Sequence, residues 1–271
     1  MNTRCGGRRR ESFDEVAELY DTARPDYPQQ LVDDLLLLSG LGKGHRVLEI
    51  GSGTGQLTVS LAEHGLSVVA VELGSNLARI ARRNLVRFRD AEVVVADFDE
   101  WALPSDPFDL VAVATAFHWL DPTTRVLRCA DALRPGGVLA IVETCWGVSC
   151  GDDRFSLESQ QCYARWDPDY DPAFRPPRLK ELRENCDDLA LSQLFDMIAH
   201  RRYCCARDYD AAQYCNLLGT FSNIRAFAEH TRRGFLSCMA DLIESHFDGR
   251  IVRHDVYDLW LARTPTRPER G

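Results

Sequence analysis

The stretch from Arg46 to Gly55, R-V-L-E-I-G-S-G-T-G, restricts what this chain can fold into more than any other. Val47, Leu48 and Ile50 form an apolar run too short for a helix and suited to a buried strand. Gly51, Gly53 and Gly55 follow at alternate positions, where the backbone can turn sharply and a side chain would obstruct a ligand. The next residues, Q-L-T-V-S-L-A-E-H, place Leu57 and Leu61 at helical spacing. Strand, glycine turn and helix in that order aim a helix N-terminus, with its unpaired N–H groups, at whatever lies over the glycines.

Read along its length, the chain alternates such units. Residues 1–11 read as a flexible tail. Phe13, Val16, Ala17 and Tyr20 recur at helical spacing until Y-D-T-A-R-P-D-Y-P, where Pro25 and Pro28 stop the helix. A second helix runs from Gln29 to Leu38, so residues 12–44 form an N-terminal helical segment ahead of a core at 45–145. In that core, apolar strands are expected at 47–50, 67–71, 93–96 and from Phe108, with a fifth after the R-P-G-G turn that follows Leu133. Strands apolar throughout and alternating with helices mean a parallel sheet covered on both faces. From 146 to 249 the alternation stops. That region reads as a helical cap, with helical patches at 179–191 and from Ala211 onward, a long one between Ile224 and Phe247, and a sixth strand within it, followed by a terminal strand at 250–263 and a tail at 264–271. The expected architecture is a single α/β domain over 12–263, a doubly wound sheet with a cap insertion.

Composition removes several classes of function. At 271 residues, 45% hydrophobic and 27% charged, the chain has the balance of a globular domain. No apolar run approaches the roughly 20 residues that cross a bilayer, and the basic start is not followed by an apolar segment, so neither a membrane partner nor export is expected. The net charge of -9 argues against nucleic acid. Ten cysteines are scattered without a C-x-x-C pair, which leaves no zinc or redox motif. Most are read as reduced core thiols in a cytoplasmic protein, and no metal is expected.

Ligands of doubly wound sheets bind beyond the C-terminal strand ends. Glu49, Glu72 and Asp97 all close or flank the first three strands, either as acids that cap the next helices or as ligand acceptors. The dinucleotide pattern G-x-G-x-x-G has Gln56 where its last glycine belongs. A pyrophosphate on this turn would meet Glu49, whereas the ammonium and sulfonium of S-adenosylmethionine favour a carboxylate there. Glu72 would then accept from ribose hydroxyls and Asp97 from the adenine amino group, with Leu73 and Phe98 as walls for the ring.

V-L-E-I-G-S-G-T-G, V-V-A-V-E-L, V-V-A-D-F, F-D-L-V-A-V-A-T-A-F-H-W-L-D and L-R-P-G-G-V-L-A-I together resemble the class I S-adenosylmethionine-dependent methyltransferases. Y-D-T-A-R-P-D-Y-P, F-H-W-L-D and T-F-S-N-I resemble more narrowly the small-molecule enzymes grouped with trans-aconitate methyltransferase. The resemblance implies a seven-stranded, mostly parallel Rossmann-like sheet and in-line methyl transfer to a small-molecule acceptor. It also implies cofactor contacts from Ser52 and Thr115, and from Tyr20 and Arg24, with Arg24 suited to the cofactor's carboxylate. His118 stands either as a general base or as part of the cofactor wall. Trp119, Trp146, Tyr163 and Trp166 either line an acceptor pocket or belong to the core. Two other functions stay open: a methyltransferase-like scaffold that binds cofactor or partner without transfer, and a nicotinamide-dependent oxidoreductase.

Overall fold

Apolar strands with no polar face must be covered on both sides, and the chain does this with a seven-stranded sheet of order β3-β2-β1-β4-β5-β7-β6. The computed structural model describes residues 12–148, 154–184, 186–190 and 192–266. The strands are β1 (Arg46–Ile50), β2 (Ser67–Glu72), β3 (Ala91–Val95), β4 (Phe108–Ala114), β5 (Leu133–Cys145), β6 (Asp196–Asp210) and β7 (Arg250–Arg263). Pairings from β3 through β2, β1 and β4 to β5 are parallel. The order reverses at β1, which has β2 on one side and β4 on the other, and this is the switch point where ligands of such sheets bind.

Contacts divide the chain into two compact units, a division that hydrophobic periodicity does not show. The first comprises Pro25–Thr144, Arg183–Tyr203 and the chain from Tyr257 onward. It holds α2 (Gln29–Ser39), which follows α1 (Ala17–Ala23) in the chain, and then α3 (Gln56–Glu63), α4 (Ser75–Asn84) and α5 (Arg125–Ala132). Its core gathers Leu48, Ile50, Phe108, Val111, Leu139, Ile141 and Trp260, all buried. The second comprises the chain up to Arg24, Cys145–Leu182 and Cys204–Val256. It contains α1 and α6 (Arg154–Trp166). Beyond α7 (Asp187–Ala190), which belongs to the first unit, it adds α8 (Ala211–Leu218), α9 (Ser222–Arg225) and α10 (Glu229–His246). Its separate core includes Phe155, Tyr214, Ile224, Phe235, Met239 and Ile243. β6 passes from one unit to the other after Tyr203, and β7 after Val256.

Several boundaries differ from the sequence expectation for identifiable reasons. R-P-G-G lies inside β5, whose register against β4 slips between Phe108 and Leu110, so an irregularity absorbs the proline and glycines that read as a turn. The long helix expected between Ile224 and Phe247 is broken before Glu229 into α9 and α10. The helical patch expected at 179–191 reduces to a 3-10 turn, Leu179–Glu181, and the short α7. The tail expected at 1–11 lies outside the described residues, as does the other from residue 267. Thr264, expected to begin that second tail, is buried at 9% exposure, and its N–H donates to Gly137 O (2.9 Å).

Cys162 on α6 and Cys238 on α10 form a disulfide with a Cα–Cα distance of 5.8 Å, while Cys129, Cys186, Cys204, Cys205 and Cys215 are free thiols. Nothing in the cysteine spacing pointed to this pair, 76 residues apart. Closing a loop of that length removes conformations from the unfolded chain, a stabilisation of about 2–4 kcal/mol. Cys162→Ala with Cys238→Ala should therefore lower the denaturation midpoint by a corresponding amount. The check is urea unfolding beside a non-reducing peptide map of the parent protein, and an unchanged midpoint would count against the bridge.

Candidate functional site

Three residues of left-handed backbone shape the turn after β1: Gly51 (φ 71), Gly53 (φ 60) and Gly55 (φ 98). A Cβ at Gly51 would lie 2.6 Å from the Ala116 Cβ, so this position needs glycine for space as well as for its dihedral. The Gly51 N–H donates to Val71 O (2.8 Å) and the Gly55 N–H to Ser52 O (2.9 Å). Ser52 is 4% exposed, and its Oγ is buried with no hydrogen-bond partner among the described residues. An unmatched hydroxyl in a glycine turn at the switch point is the kind of group a ligand satisfies.

Glu72 ends β2 at 6% exposure. Its Oε2 accepts from the Gly53 N–H (2.8 Å) and its Oε1 from the Gly74 N–H (2.8 Å), immediately before α4. The acid thus serves the helix start and the glycine turn together. A carboxylate offers about four acceptor positions, and these two bonds use two of them. Glu49 is more deeply placed, at 2% exposure, and its Oε2 accepts from the Thr58 hydroxyl (2.6 Å) on α3. Burial pushes its carboxyl up to about 8 against the lowering effect of the Thr58 bond, and the Glu72 charge adds to the rise. Glu49 is therefore mainly neutral at pH 7, whereas the sequence argument treated it as a fixed negative charge.

Asp97, after β3, is half-buried and turns the chain locally by accepting from the Asp99 N–H (3.1 Å). Phe98 beside it is buried, and Leu73 is half-buried. Thr115 follows β4 with φ 56, a strained conformation for a β-branched residue. Its hydroxyl is bonded to those of Tyr27 (3.0 Å) and Thr144 (2.8 Å). Neither partner was singled out from the sequence. Tyr27, between two prolines in the quoted Y-D-T-A-R-P-D-Y-P, carried the better signal.

His118 lies on the 3-10 turn Phe117–Trp119, exposed and tilted against the Trp119 ring at 4.7 Å. Although the residue reaches solvent, protein atoms crowded around its ring desolvate it and hold its pKa below the ordinary value, against the raising effect of Glu143, and Arg125 adds to the lowering.

The remaining expected residues belong to the other unit. Arg24 donates from Nε to the Thr220 hydroxyl (2.8 Å) and from Nη2 to Thr220 O (3.1 Å). Its guanidinium also lies over the rings of Tyr20 (5.1 Å), Trp146 (5.0 Å) and Phe221 (4.7 Å). Trp146 and Tyr163 line a cavity of about 350 Å³. Trp166 does not. It packs into the helical core, as the bland reading of an aromatic on an amphipathic helix has it. Among the described residues, no group of three or more His, Cys, Asp or Glu side chains could hold a metal ion, and no helix is long and apolar enough to cross a membrane.

This geometry, with acids and a glycine turn at the switch point of a parallel sheet, has counterparts among known proteins. Residues 48–141 match the methyltransferase domain family. An uncharacterized methyltransferase of Mycobacterium tuberculosis is 32% identical over 200 residues, covering 71% of this chain and 77% of that one. The chain belongs to the class I methyltransferase family. Another member, the malonyl-[acyl-carrier protein] O-methyltransferase of Geobacter sulfurreducens, is 34% identical over 128 residues, which cover 46% of this chain and 47% of that enzyme. A methyltransferase structure from Geobacter sulfurreducens, solved in complex with S-adenosylhomocysteine, has a TM-score of 0.53 at 14% identity, covering 91% of this chain and 96% of that one. At that identity the likeness speaks for the methyltransferase fold.

The raised Glu49 pKa has a consequence for stability. Between its ordinary 4.5 and about 8, the folded methyltransferase holds a proton that the unfolded chain has lost. Stability therefore falls as pH rises through that window, by at most about 1.4 kcal/mol per pH unit, and levels off above it. Glu49→Gln should remove this component. Urea unfolding at pH 6 and pH 8.5 for both proteins measures it, and equal pH slopes would contradict the assignment.

Proposed function

We propose that this chain transfers a methyl group from S-adenosylmethionine to a small molecule, with the cofactor held at the C-terminal ends of β1, β2 and β3. The observation that carries this reading is the pairing of the Gly51–Gly55 turn with two buried acids, Glu49 and Glu72. It matches a ligand that brings hydroxyl donors and an ammonium together. The residues fit the group: the Ser52 hydroxyl is unmatched among the described residues, the buried Glu72 carboxylate stands beside the turn, and the space beside Gly51 admits no side chain.

When bound, S-adenosylmethionine would supply an electrophilic methyl group on its sulfonium, which passes to the acceptor as S-adenosylhomocysteine leaves. The chain's own contribution is to orient the two reactants and exclude water, worth several kcal/mol. Glu72 would accept from the ribose hydroxyls while keeping its bonds to Gly53 and Gly74. Asp97 would accept from the adenine amino group, and Leu73 and Phe98 would flank the ring. Glu49 would hold the ammonium and release its own proton to solvent, because a neighbouring cation favours the charged carboxylate. Thr115, strained at the end of β4, presents its backbone in a conformation that a ligand-binding loop uses. His118, held toward its neutral form, has a lone pair for an acceptor proton if the acceptor is a hydroxyl or amine. The acceptor itself is taken by the cavity lined by Trp146 and Tyr163. Arg24, stacked on Trp146 and bonded to Thr220, positions that wall.

S-adenosylhomocysteine should raise the melting temperature and bind by calorimetry, and nicotinamide dinucleotides should do neither; the reverse result rejects the reading. Glu72→Gln, which keeps one carbonyl acceptor, should weaken S-adenosylhomocysteine binding about tenfold or more, since hydrogen bonds to a charged group contribute about 1.5–3 kcal/mol. Removing the carboxylate entirely with Glu72→Ala should also cost fold stability, because two backbone N–H groups lose their partner. Parent-like affinity in a folded Glu72→Gln protein would mean that this acid serves the turn alone.

A further inference from the structure

Arg253 and Asp255 stand two residues apart on β7, so the strand period puts both on one face. They are 8% and 2% exposed. Asp255 Oδ1 accepts from the Gly147 N–H (3.1 Å), while Oδ2 is buried with no hydrogen-bond partner among the described residues. Arg253 is engaged elsewhere: its Nη1 donates to the Ser156 hydroxyl (2.6 Å), and its guanidinium lies over the rings of Phe155 (5.3 Å) and Tyr214 (5.9 Å). Gly147 has φ 66, and a Cβ there would overlap that guanidinium, so the close approach of Arg253 depends on glycine.

Asp255 is part of the lining of the cavity of about 350 Å³, whose walls include Trp146, Tyr163, Tyr214 and Phe221. That volume suits a ring with a short chain. The lining also carries Asp167, Asp169 and Asp171, which with Asp255 make four carboxyl groups, while the lining's one guanidinium is that of Arg253 and Arg24, Arg207 and His254 stand outside it. A carboxylate ligand would bring a fifth carboxyl group into that lining. A neutral hydroxyl could satisfy Asp255 Oδ2 and gain nothing from the other acids. An ammonium would satisfy the open oxygen, gain from the acidic lining and rest favourably against aromatic faces.

We propose that this cavity binds an arylalkylamine, its ammonium donating to Asp255 Oδ2 and its ring lying against Trp146 and Phe221. The inference rests on the reading of this unit as the acceptor-binding part and goes further by naming the ligand class. The ammonium is the recognition handle, independent of which atom receives the methyl group.

The test is a calorimetric titration of the full chain with phenethylamine, phenethyl alcohol and phenylacetate, beside S-adenosylhomocysteine. Phenethylamine should bind about tenfold or more tightly than the alcohol, and phenylacetate most weakly, because only the amine gives Asp255 a charged donor. Asp255→Asn should abolish the preference for the amine. Equal or tighter binding of the alcohol or the carboxylate overturns the proposal, as does an amine preference that survives in folded Asp255→Asn. If that variant does not fold, the ligand series on the parent protein decides by itself. S-adenosylhomocysteine binding without an amine preference overturns this inference and leaves the methyltransferase reading standing. An amine preference without S-adenosylhomocysteine binding does the opposite.

Discussion

One carboxylate ties together the parts on which the candidate site depends. Glu72 holds the N–H of Gly53 in the glycine turn and the N–H of Gly74 at the start of α4. Three left-handed residues in five give the turn its shape and also leave it without a regular hydrogen-bond ladder of its own. The side chain at the end of the neighbouring strand supplies the missing partner. Because β1 and β2 are paired in parallel, with Ile50 opposite Val71, the next residue of β2 arrives beside the turn as a matter of register. The sheet therefore positions the turn through one acid as well as through strand pairing.

The same acid conditions its neighbour. Glu49 sits one strand over, fully enclosed, and the charge on Glu72 adds to the burial that keeps Glu49 protonated. Two acids at adjacent strand ends thus differ in character because of what surrounds them: backbone N–H groups for one, a hydroxyl and apolar packing for the other. The residue types alone would have made them equivalent.

Much of this was legible in the sequence. β1, β2 and β4 stand out because strands buried on both faces are apolar without interruption, and the glycine turn because alternating glycines serve no purpose inside a helix or strand. The acids after the strands could be found by position, although which of them bonds the backbone could not. β6, by contrast, reads D-M-I-A-H-R-R-Y-C-C-A-R-D-Y-D, with charges through its middle, and only a sixth strand somewhere in 146–249 could be expected. The charged pair Arg253 and Asp255 was visible inside a strand otherwise marked by Val256, Leu259 and Leu261. A buried arginine and acid at a spacing of two is the signal that went unused. The disulfide left no trace at all, since its partners meet only through the packing of α6 on α10.

That bridge has a topological side. Between Cys162 and Cys238 the chain forms a covalently closed ring, which contains the acidic segment of Asp167 to Asp171 and the whole of β6, α8 and α9. A single protease cut inside the ring opens it without releasing a fragment. The nicked molecule would gain only one water in mass and travel as one species until reductant is added, when it would separate into two. For a chain whose exposed loop at 171–175 is an obvious place for such a cut, integrity judged by mass alone and integrity of the backbone are different properties.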